Sequence, residues 1–236
     1  MLDLVDMEVR ELLTEFGYNG DETPIVNGSA LLALDDTSND LGKKSVKKLM
    51  DTIDNYIPSP KRDLDSQFLL PIEKTVAIPG RGQVLVGTIT RGTLKKGSPL
   101  EIVGFGETIK TTATEIHIFK NSVGDCSAGQ HVGILVRGIK PGMVVRGMMA
   151  SVPNSTTQAD SFEATVYMLK KDEGGRKKPI LDGYIQPLLT QTCTIDSYFD
   201  FPEDKTMLLG GEFTSMNVLL KKPMVLFPGD RFTSNN

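Results

Sequence analysis

Cys126 and the two histidines are the side chains of this sequence that could form a nucleophile and its base. A thiolate nucleophile needs an adjacent general base, which His131 or His117 could supply. Cys126 lies in the turn-like segment Gly124-Asp-Cys-Ser-Ala-Gly129, and no third residue stands at a spacing that would orient a histidine. We therefore interpret Cys126 as a small residue in a turn. An enzyme built on Cys126 and His131 remains an alternative.

Two glycine-rich segments have part of the spacing that cradles phosphates. Gly82 and Gly87 are placed as in a phosphate-binding loop, but Thr88 follows where that loop has a lysine. The residues between the two glycines have the pattern of a strand. Gly80-Arg-Gly82 lacks the rest of the dinucleotide fingerprint and is not followed by a helix. We predict that neither segment binds a nucleotide.

A group of five cations could contact phosphates. Lys170-Lys171 and Arg176-Lys-Lys178 flank Asp172-Glu-Gly-Gly175, so a hairpin-like loop would bring them to one tip. Lysine and arginine at such a tip would make nucleic-acid binding dependent on salt. A solvated loop explains the same residues, and composition alone does not choose between the two.

Length and composition limit the classes of protein to consider. The 236 residues correspond to one or two domains at about 150 residues each, or to three small ones. With 39% hydrophobic and 24% charged residues, the chain is not disordered as a whole. A net charge of −4 argues against a general nucleic-acid coating protein. No apolar run approaches the ~20 residues of a membrane span, and the two cysteines lack the spacing of a zinc site.

The hydrophobic periodicity predicts the elements that must position these residues. Helical spacing predicts helices over 2–16 and from Ser45 to Ile57, with a short buried strand over 24–27 between them. From Ser66 the period falls to two and turns containing glycine recur, which indicates barrels or sandwiches. The expected strands are 76–78, 83–90, 100–103, 108–119, 131–137, 162–169, 188–195, 211–220 and 224–227. A linker-like segment, 153–158, divides them into two all-β modules.

Several segments, in the same order along nearly the whole chain, resemble elongation factor Tu, and within that family the mitochondrial form. The segments are Leu12-Leu-Thr-Glu-Phe-Gly-Tyr18, Glu22-Thr-Pro-Ile25, Gly28-Ser-Ala-Leu31, Phe68-Leu-Leu-Pro-Ile-Glu73, Gly80-Arg-Gly82, Arg91-Gly92, Lys96-Gly97, Ala128-Gly129, Val132-Gly133, Val136-Arg-Gly-Ile-Lys140, Lys171-Asp-Glu-Gly-Gly-Arg176, Pro223-Met-Val-Leu and Gly229 to Thr233.

The resemblance implies a mainly β chain, with two consecutive antiparallel β-barrels after the C-terminal α/β remnant of a GTPase domain. Residues 1–65 would be that remnant, 66–156 the second domain, and 157–236 an incomplete third domain. The phosphate loop, both switches and the Asn-Lys-x-Asp motif would lie before Met1. The family binds GTP or GDP with magnesium, but we expect no cofactor and no GTP hydrolysis from this chain alone. Ser29-Ala30-Leu31 resembles the loop that contacts the guanine base.

The resemblance also implies an aminoacyl-tRNA surface. Glu73 aligns with a glutamate of the family's pocket for the amino acid and terminal adenosine, and Arg81 is carried over with it. His131 stands where that pocket has an amide, either as a polar contact in its place or as a residue of the barrel. Where the family's pocket has an acidic, an aromatic and a hydroxyl side chain, this sequence has Lys74, Val76 and Val86. In the second barrel, Arg176 with Lys177 and Lys178 aligns with the segment that approaches the T-stem backbone.

The family further implies aminoacyl-tRNA, the ribosome and the exchange factor Ts as partners, without a membrane, in the mitochondrion. The alternative is a truncated or degenerate paralogue that binds without GTPase activity. The family continues beyond Arg231-Phe-Thr233 with a hairpin that closes the second barrel. We therefore expect an unpaired strand edge and marginal stability in residues 157–236.

Overall fold

The computed structural model describes residues 1–35 and 39–234. It separates into two compact units, Met1–Lys61 and Arg62–Asn236. Among the described residues, no helix combines the length and the apolar character that crossing a membrane requires.

The first unit is helical. Its helices are α1 (Leu2–Glu15), α2 (Ala30–Leu34) and α3 (Lys43–Tyr56), so both long helices predicted from periodicity are confirmed. The Arg10 guanidinium holds the loop after α1 by donating from Nη1 to the carbonyl oxygens of Gly20, at 2.6 Å, and Thr23, at 3.1 Å. The buried strand expected over 24–27 is wrong. Within residues 1–35 and 39–61 there is no strand for it to pair with, and the segment has no regular secondary structure and is partly exposed.

The first β domain follows. Its strands are β1 (Leu69–Pro71), β2 (Lys74–Ile78), β3 (Gly82–Thr88), β4 (Thr93–Lys95), β5 (Pro99–Gly104), β6 (Glu107–Ile118), β7 (Asn121–Val123), β8 (Asp125–Ser127), β9 (His131–Val136) and β10 (Met149–Ser151). The main sheet runs β1-β10-β5-β6-β9-β3-β2, with β7 paired to β6 and β4 to β8. Alternating inward residues, among them Leu85, Ile102, Ile116 and Ile134, form its core. The predicted mainly β fold with barrel-type domains is confirmed.

The segment from Leu69 to Glu73 closes this barrel. On one side Ile72 exchanges backbone hydrogen bonds with the chain near β10, accepting from Gly147 N at 3.1 Å and donating to Met148 O at 2.9 Å. On the other side Leu69 N donates to Arg91 O at 3.1 Å and Glu73 N donates to Val86 O at 2.9 Å. The segment therefore joins the two ends of the sheet.

The second β domain has the strands β11 (Gln158–Tyr167), β12 (Ile180–Leu181), β13 (Tyr184–Thr190), β14 (Cys193–Asp200), β15 (Met207–Leu208), β16 (Phe213–Val225) and β17 (Thr233–Ser234). The main sheet runs β11-β16-β14-β13-β17, and β12 pairs with β15. Leu188, Phe199, Met216 and Val218 lie at its core. Among the described residues, β11 and β17 each have one partner strand and are not paired with each other.

Two strand boundaries in this domain differ from the sequence prediction. The strand expected over 188–195 is two strands, because the chain reverses at Gln191 and Thr192 and Thr190 pairs with Cys193. Gln191 takes φ +47°, a conformation that glycine or asparagine normally signals in a hairpin. The strands expected over 211–220 and 224–227 are the single strand β16, which continues through Pro223.

The two β domains pack against each other through a small apolar cluster. Leu69, Val103 and Met149 of the first domain are buried with Val225 of the second, and Phe227 covers them. Arg91 lies over the Phe227 ring with its guanidinium carbon 4.4 Å from the ring centroid. Phe105 packs against the cores of both domains. Beside it, Gln158 accepts from Gly106 N at 2.8 Å and donates to Glu107 O at 3.1 Å.

Closure of the first barrel predicts a specific requirement for glycine at position 87. A Cβ atom on Gly87 would overlap the Pro71 carbonyl oxygen, whereas Gly124 has open space around its Cα. We expect Gly87→Ala to lower the free energy of unfolding by about 1–3 kcal/mol, the usual cost of overpacking. Gly124→Ala should change it by no more than about 1 kcal/mol. Urea unfolding followed by circular dichroism measures both, and equal effects would contradict this account of barrel closure.

Candidate nucleic-acid interface

Glu73, Thr88 and His131 form a polar cluster at one end of the first barrel. The Thr88 hydroxyl donates to Glu73 Oε1 at 3.1 Å and lies 3.1 Å from His131 Nδ1. His131 Nδ1 is itself 3.8 Å from Glu73 Oε1. The strand register places Thr88 opposite His131, and the barrel-closing segment brings Glu73 to the same end. The structure thus brings together two residues predicted from sequence, through a threonine that sequence reasoning missed.

The hydrogen bonds of this cluster determine what it offers to a ligand. Thr88 has one hydroxyl proton, and because that proton goes to Glu73, the donor between His131 and Thr88 is the Nδ1–H of His131. In that tautomer, the other ring nitrogen of a neutral His131, Nε2, is an acceptor. The side chains of His131 and Glu73 are 52% and 40% exposed, so both remain open to a ligand. The cluster can therefore bind hydroxyl or amino groups, with a carboxylate nearby.

The strand beside this cluster lacks an aromatic surface. Val76 lies on β2, is 46% exposed and pairs with Val84. Lys74 is exposed two residue pairs nearer to Glu73 and lies opposite Val86. An exposed ring at these positions would allow a base to stack, whereas valine offers a small apolar surface.

Arg81 is committed to an ion pair within the barrel. Its guanidinium pairs with Glu115, and the same carboxylate lies 3.1 Å from His117 Nε2. The hydrogen bond from His117, followed by that from Arg81, holds the pKa of Glu115 below its ordinary value. Sequence reasoning considered His117 only as a base for Cys126 and missed its pairing with Glu115, although their two-residue spacing on a strand places both on one face. Because its charge is already paired, Arg81 is a weaker phosphate ligand than an unpaired cation would be.

An exposed aromatic ring at the β6–β7 turn was also missed. Phe119 and Lys120 form this two-residue turn with φ +47° and +69°, and Phe119 is 89% exposed. The pairing of β6 with β9 ends at His117 and Gly133, so the turn projects at the end of the sheet where His131 begins β9. No sequence signal pointed to it, because such turns normally contain asparagine or glycine.

The basic loop between β11 and β12 separates its cations. Glu173 anchors the loop, accepting from Tyr167 Oη at 2.8 Å and from Lys170 N at 2.7 Å. These contacts lower the pKa of Glu173, chiefly through the Lys170 amide. Lys170, Lys171, Lys177 and Lys178 are exposed. Arg176 instead folds inward, with its guanidinium carbon 4.7 Å from the centroid of the Tyr184 ring. The loop therefore presents lysines, not the arginine, to solvent.

The remaining candidates lie at the start of α2 and in strand β8. In the helical unit, the Ser29 hydroxyl caps α2 by accepting from Leu32 N at 3.3 Å, while Ala30 and Leu31 begin that helix with exposed side chains. Cys126 lies in strand β8 and not in a turn, and it is buried in the first core. Burial, followed by Asp125, raises the pKa of its thiol to about 11, so it is a poor nucleophile. Among the described residues, no cluster of three metal-binding side chains occurs.

Comparison with protein families identifies both β domains. Residues 82–151 match the family described as elongation factor Tu domain 2, and residues 155–234 match the elongation factor Tu C-terminal domain. The two ranges together cover more than half of the chain and include most of the strands described above.

The Arg81 ion pair predicts the behaviour of Glu115. Arg81→Gln should raise the pKa of Glu115 toward its ordinary value without restoring it fully, because the hydrogen bond with His117 remains. Carbon-13 NMR titration of the carboxyl group measures the change. Lys110→Gln, an exposed cation on the same strand that does not shift this pKa, should leave the titration unchanged. If Arg81→Gln also leaves it unchanged, the ion pair does not persist in solution.

Proposed function

We propose that this chain binds aminoacyl-tRNA for delivery to the ribosomal A site. The chain belongs to the elongation factor Tu-like translational GTPases and carries both of that family's β domains. The family match supports a translation elongation factor-like role. The aminoacyl-tRNA ligand, and the mitochondrion as its location, extend that role by resemblance.

The observation that carries the proposal is the cluster of Glu73, Thr88 and His131. The 3′ end of an aminoacyl-tRNA presents ribose hydroxyls, an ester and a terminal base. The Glu73 carboxylate and the unprotonated imidazole nitrogen of His131 both accept, and they match the hydroxyls because each ribose hydroxyl can donate a hydrogen bond. The exposed Phe119 ring at the same end of the sheet offers a stacking surface where Val76 does not.

The second contact in the proposal is the lysine-bearing loop of the second β domain. Lys177 and Lys178 are exposed and extend from the loop that Glu173 anchors. Cations on such a loop neutralise phosphates without reading the sequence of the RNA. Because Arg176 is held against Tyr184, we assign the phosphate contacts to the lysines.

We assign the binding and hydrolysis of GTP to the family's GTP-binding domain. This sequence contains no glycine-rich loop ending in lysine, and phosphoryl transfer depends on such a cradle and on magnesium. We propose that GTP, GDP and magnesium act through that domain, with exchange factor Ts as its partner, and that these 236 residues alone do not hydrolyse GTP.

A second candidate is a binding-only paralogue. The specific observation in its favour is the altered strand beside the cluster, where Lys74, Val76 and Val86 replace acidic, aromatic and hydroxyl positions of the family. Such a chain would bind tRNA or the ribosome without discriminating the aminoacyl group. Comparing aminoacylated with deacylated tRNA separates the two candidates.

His131→Ala tests the cluster. Loss of one hydrogen-bonding group at the 3′ end should weaken binding of aminoacyl-tRNA about three- to tenfold, corresponding to about 0.5–1.5 kcal/mol. Protection of the aminoacyl ester from hydrolysis provides the measurement. Thr108→Ala, an exposed change at the other end of β6, should leave binding intact. If both variants bind like the unaltered chain, the cluster does not hold the 3′ end.

Lys177→Gln with Lys178→Gln tests the loop. Each lost phosphate contact should reduce the slope of log K against log salt by about 1, and binding should weaken equally for every tRNA. Filter binding across a salt series measures the slope. Lys221→Gln is the matched control, because Lys221 is exposed on the same domain but paired with Asp196 at 3.1 Å. A slope that falls equally in the control would remove the loop from the interface.

A further inference from the structure

Three exposed apolar residues, Ile185, Tyr198 and Leu219, form a row across the outer face of the second β domain. Ile185 of β13 lies opposite Tyr198 of β14, which lies opposite Leu219 of β16. They are 54%, 42% and 45% exposed. Each of the three strands has a neighbour on both sides in the sheet, so the row does not depend on an edge strand. Single exposed apolar residues are ordinary on a protein surface, whereas adjacent ones mark a contact surface.

The face around this apolar row is polar. Side chains alternate between the two faces of a strand, so every second residue of β14 and β16 lies on the same face as the row. The other exposed residues at these positions are Thr194, Asp196, Asp200, Ser215, Asn217 and Lys221. The row is therefore a narrow apolar stripe on a polar sheet face.

The two flanks of the apolar row differ in charge. On one flank, Asn217 lies opposite both Glu163 of β11 and Asp200 of β14. Both carboxylates are exposed, and neither forms an ion pair with a described residue. On the other flank, the Asp196 carboxylate is paired with Lys221 at 3.1 Å. One flank therefore carries uncompensated negative charge, and the other does not.

The spacing of these residues selects the shape of a matching ligand. Neighbouring strands lie about 4.8 Å apart, so the ends of the apolar row are about 10 Å apart, and so are Glu163 and Asp200. Positions i, i+4 and i+7 of an α-helix lie on one face over about 10 Å. Residues on one face of an extended chain are about 6.8 Å apart, which does not match the strand spacing.

We propose that this face docks an amphipathic helix of a partner protein. The helix lies across β13, β14 and β16, with apolar side chains on the row and two cations, seven residues apart, beside Glu163 and Asp200. The apolar stripe and the two unpaired carboxylates together select a basic helix with one apolar face. The proposal does not rest on the proposed tRNA function.

The same charges disfavour two other occupants. RNA would bring its phosphates to Glu163 and Asp200, and like charges repel. A second copy of the chain would offer Lys221 on this face, but that ammonium group is already paired with Asp196. A basic helix from another protein brings cations that are free to pair.

The probe for this site is a helical peptide of about 18 residues, labelled with a fluorophore and added to the 236-residue chain. It has leucine at positions i, i+4 and i+7, lysine at i+1 and i+8, and alanine or glutamine elsewhere. We expect saturable binding by fluorescence anisotropy. The same peptide with glutamate in place of both lysines should bind about tenfold more weakly, because it repels the acidic flank.

Variants of the protein supply the second arm. Tyr198→Ser removes the centre of the apolar row and should weaken binding of the lysine peptide about tenfold or more. Thr194→Ala, an exposed change on the same face of β14 outside the row, should leave binding unchanged. Glu163→Gln combined with Asp200→Asn should abolish the preference for the lysine peptide over the glutamate peptide.

Three outcomes would overturn the proposal. Equal binding of the lysine and glutamate peptides by the unaltered chain does so whatever the variants do. A dimer that forms without peptide and is lost in Tyr198→Ser would show that a second copy covers the row. Binding of tRNA that Tyr198→Ser weakens and Thr194→Ala does not would assign the face to RNA.

Discussion

Closure of the first barrel by residues Leu69 to Glu73 is the constraint on which the rest of the β unit depends. This one segment bonds to the chain near β10 on one side and to the end of β3 on the other. Its last residue, Glu73, thereby reaches Thr88, and its first, Leu69, enters the apolar cluster shared with the second domain. A change that loosens this segment would consequently disturb the polar cluster and the domain junction together.

The junction between the two β domains determines how one ligand could contact both the polar cluster of the first domain and the basic loop of the second. Val225 and Phe227 bury their side chains against the first domain, and Phe105 packs against both cores. Gln158, at the start of β11, bonds to the β5–β6 turn through both ends of its amide. Since β11 leads directly to the basic loop, that junction ties the loop's strand to the domain that carries His131. An RNA touching both places would meet surfaces whose spacing is set by packing and not by a linker.

Much of the fold could be predicted from sequence, and the failures have specific causes. The alternation of apolar and polar residues located most strands, because one face of each strand is buried. It missed the reversal at Gln191 and the turn at Phe119, where ordinary residues adopt φ above zero without a glycine signal. The short run over 24–27 was also predicted to be a strand, although a strand requires a partner that the helical unit lacks among its described residues. Resemblance supplied Glu73 and His131, but Thr88, which connects them, depends on register alone.

Net charge and local charge lead to different expectations for RNA binding, and the ion pairs explain why. The chain carries a net charge of −4. Two of its candidate RNA-binding cations already have partners within the protein, since Arg81 pairs with Glu115 and Arg176 stacks on Tyr184. Of the cations that the resemblance assigns to RNA, the exposed Lys177 and Lys178 remain available for the proposed phosphate contacts. With a negative net charge, general attraction to RNA is weak. Under the proposed function, selectivity would therefore come from the separation between those lysines and the hydrogen-bonding groups at the end of the first barrel.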